Sequence, residues 1–104
     1  MTQQEFWSLY DSGKISCKVF EAKWAEDGHE FFKWAESFEY NGKFWLRIHN
    51  EERWVMRTHD SKGRRYAHQR APHWSKIVEF NTAAHANNYF KKFFEGREYQ
   101  KVQG

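Results

Sequence analysis

The fold is decided by the stretch ESFEYNGKFWLRIH, residues 36–49, in which an Asn-Gly pair separates two runs of alternating side chains. A two-residue Asn-Gly turn is typical of a tight β-hairpin, and its length fixes which residues of the two strands pair. If Tyr40 pairs with Lys43, aliphatic side chains collect on one face of the hairpin and aromatic and charged side chains on the other. The aromatic and charged face then holds Trp34, Glu36, Phe38, Tyr40, Lys43, Trp45, Arg47 and His49.

Aromatic residues make up 20% of the 104-residue chain, with ten Phe, six Trp and five Tyr. A chain of this length predicts a single compact domain over residues 1–104, built around one core. Leu, Ile and Val are scarce, so rings must fill much of that core. The surplus of rings favours either outward-facing aromatics that bind a partner or rings that close the edges of the core.

The cysteine content and the targeting motifs of a sequence indicate its cellular compartment. The single cysteine, Cys17, alternates with Ile15 and Val19, which favours a small buried side chain over a reactive thiol. The sequence contains no recognisable signal peptide, membrane-spanning run or lipidation motif. We therefore expect a cytoplasmic protein.

Local signals predict a helix near each end of the chain. Thr2 and Glu5 form a capping box, and Gly13 is a typical stop for the helix that follows it. Thr82 indicates the start of a second helix and Gly96 its end. Each helix has one apolar stripe, as expected for a helix that covers a sheet.

Between the helices, alternating apolar and polar side chains predict antiparallel strands. The hairpin strands are expected over residues 29–40 and 43–49. A preceding strand over residues 15–24 changes phase near residue 20, which indicates a bulge or bend there. A short run over residues 77–80 predicts an edge strand.

Two further turns complete the predicted sheet. Residues 50–52, Asn-Glu-Glu, are interpreted as a reversal, because a three-residue loop there keeps the apolar face apolar. Residues 60–63 form a stronger turn signal, which pairs His59 with Arg64 and Arg57 with Tyr66. We expect the tail after residue 99 to be frayed.

These elements predict an α+β fold, an antiparallel meander of four to five strands with an N-terminal and a C-terminal helix packed on one face. Both helices are expected to cover the aliphatic face of the sheet. The aromatic and charged face would then either stay open or form a second small core, made of Trp34, Phe38, Tyr40 and Trp45 and covered by residues 15–24 and 70–80. Alternating rings and guanidinium groups on an open sheet are typical of surfaces that stack bases and hold phosphates.

The charge pattern also favours nucleic acid as the partner. The formal net charge is +3, but residues 57–76 alone contain six basic residues against one acid, Asp60. Aromatic rings interleaved with a basic run favour contact with nucleic acid, and single strands or RNA fit an aromatic sheet better than a duplex does. The predicted nucleic-acid-binding residues are Lys43, Trp45, Arg47, Arg57, Lys62, Arg64, Arg65, Tyr66, His68 and Arg70.

Two other functions fit the same composition. A protein-binding module or inhibitor, such as a phage or mobile-element accessory protein that blocks a host enzyme, would also present Trp, Tyr and Arg. A small metal-independent ribonuclease would use two of His59, His68 and His73 as general acid and base. Because no catalytic or metal-binding motif is present, we expect a non-enzymatic protein without a cofactor or a metal. An exposed edge over residues 66–70 would allow an edge-strand dimer.

Part of the chain resembles a known module. From Asn41 to Phe94, the order of hairpin, basic turn, short strand and helix resembles the WGR module of DNA-repair polymerases. The Trp-Gly-Arg motif that defines the module is absent, with Arg53-Trp54 and Lys62-Gly63-Arg64 as the nearest matches. No functional residue is transferred from this resemblance.

Overall fold

The structure, a computed structural model, describes residues 1–59, 65–70 and 73–104, with side chains described outside residues 54–73. Within this part of the chain there are two helices and six strands. Their bounds are α1 (Gln3–Asp11), β1 (Lys18–Glu26), β2 (His29–Tyr40), β3 (Lys43–His59), β4 (Arg65–Arg70), β5 (His73–Phe80), α2 (Ala83–Phe94) and β6 (Gln100–Gln103). All strand pairs are antiparallel. The predicted α+β class, an antiparallel sheet with a helix near each end of the chain, is confirmed.

Two tight turns set the register of the central strands. Asn41 and Gly42 both have positive φ, 57° and 70°, as the two-residue hairpin turn requires. Tyr40 therefore pairs with Lys43, and the predicted register of β2 against β3 is confirmed along its length. A second turn of the same kind, Asp27-Gly28, joins β1 to β2.

Strand β3 is longer than predicted, because the chain does not reverse at residues 50–52. It continues for 17 residues, and β2 pairs with it as far as His29 opposite Trp54. The Asn-Glu-Glu sequence has no Gly or Pro to favour a turn. The 12-residue β2 offers hydrogen-bonding partners along its whole length. Continued pairing therefore replaces the predicted loop.

Two strands, β5 and β4, pair one after the other with the edge of β3 that lies opposite β2. Strand β5 pairs with residues 44–51 of β3, and β4 pairs with residues 54–59. The predicted pairing of β3 with β4 is wrong by one residue, because His59 pairs with Arg65 and Arg57 with Ala67. The predicted turn at residues 60–63 lies outside the described residues.

The helix signals are confirmed at both ends of the chain. The Thr2 hydroxyl accepts a hydrogen bond from the backbone N–H of Glu5, and the Thr82 hydroxyl accepts one from His85. Helix α2 ends at Phe94, and its C-cap residue, Glu95, has a left-handed φ of 52°. These side-chain caps satisfy backbone donors that the first turn of a helix leaves unpaired.

The two helices lie on opposite faces of the sheet, so the prediction that both pack on one face is wrong. Helix α2 covers the aliphatic face, where Phe90, Phe93 and Phe94 pack on Ala35, Leu46 and Ile48. Helix α1 covers the aromatic and charged face, where Phe6 packs with Ile15, Cys17 and Phe38. Each face of the sheet therefore has its own small core.

The C-terminal tail is also ordered differently from the prediction. Residues 100–103 form β6 and pair with β1. The register of this pair shifts between Val19 and Phe20, close to the irregularity predicted near residue 20. None of the helices in the described residues is long and apolar enough to cross a membrane.

Candidate nucleic-acid interface

Arg47, a predicted binding residue, lies beneath α1 rather than on an open face. Its guanidinium carbon is 4.8 Å from the ring centroids of Phe6 and Trp7 and 4.7 Å from that of Trp34. These distances suit cation–π attraction to all three rings. Two of the rings come from α1 and one from β2, so Arg47 joins the helix to the sheet.

The charge of Arg47 is also balanced within the fold. Its guanidinium donates to the Glu36 carboxylate at 2.9 Å and to the Gln3 side-chain oxygen at 2.7 Å. The two charged side chains are only 11% and 15% exposed. Burial raises the pKa of Glu36, and the neighbouring Arg47 cation opposes that rise. Arg47 therefore acts as a structural cation in this arrangement.

Two other predicted site residues, Trp45 and Lys43, also make hydrogen bonds within the fold. The Trp45 indole N–H donates to the Tyr40 carbonyl at 3.1 Å, and its ring is nearly parallel to that of Phe38 at 6.1 Å. The Lys43 ammonium donates to the Asn81 side-chain oxygen at 2.6 Å. The aromatic face around Trp45 thus packs against the α1 core. Of the two predicted arrangements, the second small core is therefore the one observed, with α1 as part of its cover, and the open stacking surface is not.

The remaining predicted residues belong to the β3–β4 hairpin. Strand β2 ends at His29, opposite Trp54, so residues 55–59 of β3 pair with β4 alone. We call the two-stranded segment formed by residues 55–59 and 65–69 the basic ribbon. Arg57, Arg65, Tyr66 and His68 lie on its strands and Arg70 follows them, whereas Lys62 and Arg64 lie outside the described residues.

The corrected register separates two residues that the sequence had placed together. Opposite partners in a sheet share a face, and neighbours along a strand alternate. Arg57 pairs with Ala67 and Tyr66 with Thr58, so Arg57 and Tyr66 occupy positions on opposite faces of the ribbon. Arg57 and Arg65 therefore share one face of the ribbon and Tyr66 and His68 the other, without the predicted Arg57–Tyr66 pair.

A second aromatic and basic surface lies on the α2 face and was not among the predicted site residues. Trp74 of β5 is 44% exposed, and the Lys76 ammonium lies 5.6 Å from the rings of both Trp74 and Tyr89. Trp74 and Lys76 belong to the basic segment of the sequence and occupy alternate positions of β5, opposite Asn50 and Ile48 of β3. That alternation could have indicated the surface, but the pairing of β5 with β3 is needed to place it.

Other candidate sites are weaker. A groove of about 560 Å³ at the far end of β1 and β2 includes Lys23 and Arg53 but also Glu30 and Glu51, so it has no excess of positive charge. Among the residues that the structure describes, no three His, Cys, Asp or Glu side chains converge as a metal site would require. Burial raises the pKa of Cys17 to about 11, which keeps the thiol protonated and unreactive at neutral pH.

Comparison with known proteins adds no relative. No protein family, no curated protein and no solved structure matches this chain. The resemblance of residues 41–94 to the WGR module is therefore without support from a family match. Functional inference depends on the chain's own residues.

Proposed function

We propose that this protein binds nucleic acid without catalysing a reaction on it, and that the basic ribbon is its main contact. The observation that carries the proposal is the position of the most basic part of the chain. Residues 53–70 contain six Lys or Arg and one acid, Asp60. The strands in this segment continue beyond the end of β2.

The shape of the ribbon supports the proposal as well as its charge. A two-stranded β-ribbon is narrow enough to follow a groove or a single strand, whereas a covered sheet face is not accessible to either. Arg and Lys on such an element neutralise phosphates and release bound counterions. The proposed phosphate contacts are Arg57, Lys62, Arg64, Arg65 and Arg70, and the contacts of Lys43, Trp45 and Arg47 within the fold favour a structural role for those three.

The direct test is a titration of fluorescently labelled RNA, single-stranded DNA and duplex DNA at 50 and 200 mM salt. We expect binding that weakens by at least tenfold between these salt concentrations, because several phosphates are contacted. The double variant R65Q/R70Q should weaken binding by about tenfold or more. It should also lower the slope of log affinity against log salt by about 1.4 to 1.8, which corresponds to two lost phosphate contacts.

A matched control removes the same charge elsewhere. Lys18 and Lys101 are exposed and lie on β1 and β6, away from the ribbon edge of the sheet. K18Q/K101Q should bind as the parent protein does, apart from a small general loss. Equal affinity of the two double variants, or no binding to any probe at 50 mM salt, would overturn the proposal.

The same titration separates the alternatives. A protein-binding module would show no salt-dependent affinity for these probes, because an aromatic protein interface depends much less on counterion release. A ribonuclease would shorten the labelled RNA during the incubation. Cleavage that is lost in H68A would overturn the non-enzymatic part of the proposal.

A further inference from the structure

The exposed ring of Trp74 is held in a fixed position beside a cation. It makes a T-shaped contact with Phe93 of α2, with ring centroids 6.1 Å apart and an interplanar angle of 72°. Phe93 itself is 8% exposed and belongs to the core under α2. Trp74 therefore contacts a buried aromatic residue, and its own relative solvent exposure is 44%.

Basic residues lie on both elements that meet at this ring, β5 and the last turn of α2. Lys76 lies two residues further along β5 on the same face, with its ammonium 5.6 Å from the Trp74 ring. Lys91 and Lys92 are exposed in the last turn of α2. The nearest acid of that turn, Glu95, lies 3.7 Å from the buried ammonium of Lys33, which offsets its charge.

The Trp74 position follows the basic ribbon along the same edge of β3. Strands β4 and β5 follow the same edge of β3, where Arg70 pairs with Trp54 and Trp74 pairs with Asn50. These two partners, Trp54 and Asn50, lie four positions apart on β3, which corresponds to about 13 Å along the strand. A strand of nucleic acid held by the ribbon would reach the Trp74 ring without a change of direction.

From this geometry we propose that Trp74 and Lys76 form a stacking site for an unpaired nucleotide of single-stranded nucleic acid, with the base on the indole and the phosphate near the ammonium. This inference rests on the proposed nucleic-acid-binding function. An exposed aromatic ring stacks on any base, whereas a base inside a duplex is already covered on both sides by its neighbours. The site therefore selects single strands over duplexes.

The test compares two tryptophans that are equally exposed. Trp7 of α1 is also 44% exposed but lies on the opposite face of the sheet. W74L should weaken binding to labelled oligouridine and oligothymidine by about tenfold, within the range expected for one stacked base. W74F keeps a ring for stacking and should retain most of the affinity, and W7L should match the parent protein within about twofold.

Salt and strand type give a second readout. K76Q should lower the salt slope for single strands by about 0.7, as expected for one lost phosphate contact. The exposed Lys23 serves as the matched control, and K23Q should leave the slope unchanged. W74L should leave duplex binding within about twofold of the parent value. Thermal unfolding of each variant checks that its fold is intact.

The outcomes separate this inference from the proposed function. If W74L and W7L bind single strands equally while R65Q/R70Q still weakens binding, the stacking site is wrong and the ribbon proposal stands. An equal loss for single strands and duplexes in W74L would likewise overturn the site for unpaired bases. If the parent protein binds no probe, the proposed function itself fails.

Discussion

The guanidinium of Arg47 donates to the carboxylate of Glu36 at 2.9 Å, beneath a helix that brings two aromatic rings to the same cation. This ion pair lies on the aromatic and charged face of the sheet, which the sequence could assign either to an open surface or to a second core. Because the Arg47 cation attracts rings from both α1 and β2, the aromatic residues around the ion pair pack together as a second core. The pair also couples the attachment of α1 to the charge state of Glu36.

Replacement of Arg47 by Met should destabilise the protein by about 3–5 kcal/mol, because it leaves the Glu36 carboxylate buried without its partner. The measurement is the free energy of unfolding in urea at pH 7. Arg53→Met is the matched control, since Arg53 is 48% exposed and its ion pair with Glu51 should contribute less than about 1 kcal/mol.

The pH dependence of Arg47→Met tests the same explanation. Without the cation, the pKa of Glu36 in the folded protein rises further above its ordinary value of 4.5. The folded state then holds a proton that the unfolded state loses, so stability falls as the pH rises through the folded pKa. The loss of unfolding free energy relative to the parent should therefore be smaller at pH 5 than at pH 7. It should also be smaller in the double variant E36Q/R47M than in Arg47→Met. A deficit independent of pH would contradict this account.

Replacement of Lys33 by Met should loosen the attachment of α2 to the sheet. The Lys33 ammonium donates to the Phe93 carbonyl at 2.7 Å, near the end of the helix, where unpaired carbonyls favour a cation. Loss of this buried hydrogen bond should cost about 1–3 kcal/mol in urea unfolding. Lys23→Met is the control, because the Lys23 side chain is 68% exposed. Equal stability of the two variants would exclude this role for Lys33.

Replacement of Gly42 by Ala should weaken the hairpin turn without creating a steric clash. A Cβ atom at this position would meet nothing within 4 Å, so the cost arises from the backbone φ of 70°. We expect a loss of about 1–2 kcal/mol in the free energy of unfolding. Asn41→Gly should be much milder, because Gly tolerates the positive φ of 57° at that position. A neutral Gly42→Ala would show that the turn is not held in this conformation.

Cys17 should resist alkylation in the folded protein. Burial is the main reason that its pKa rises from 9.0 to about 11, so iodoacetamide at pH 8 should label the thiol in urea far faster than in buffer. Between these two pKa values the unfolded thiol loses its proton while the folded thiol keeps it. The contribution of Cys17 to stability is therefore lost as the pH rises from 9.0 towards 11.

The control for this prediction is Cys17→Ala. The difference in unfolding free energy between the parent and this variant should change in the same alkaline window and stay constant below it. Rapid labelling of the native protein at pH 8 would contradict the buried, protonated thiol.

Local signals in the sequence were sufficient wherever a few neighbouring residues decide the conformation. The Asn41-Gly42 turn fixed the register of β2 against β3, because its positive φ angles leave few alternatives. Thr2 and Thr82 marked the helix starts, because a hydroxyl can accept from a backbone N–H three residues later. These features depend on contacts within one turn of the chain.

Features that depend on distant partners were not predictable in the same way. Residues 50–52 continue β3 because β2 already lies beside them, and this partner enters through the turn at Asp27-Gly28. The pairing of Arg57 with Ala67 depends on a connection between β3 and β4 that has no Asn-Gly signal. Trp74 joins the candidate interface only because β5 pairs with β3.

The sequence by itself determined the Asn41-Gly42 hairpin, the helix caps and the α+β class, because each follows from local conformational preferences and alternation. Only the tertiary structure decided which face each helix covers. Both faces of the sheet carry rings that need burial, so periodicity alone gives no preference between them. Attachment of α1 around Arg47 buries one aromatic surface, and the surface at Trp74 on the other face remains open.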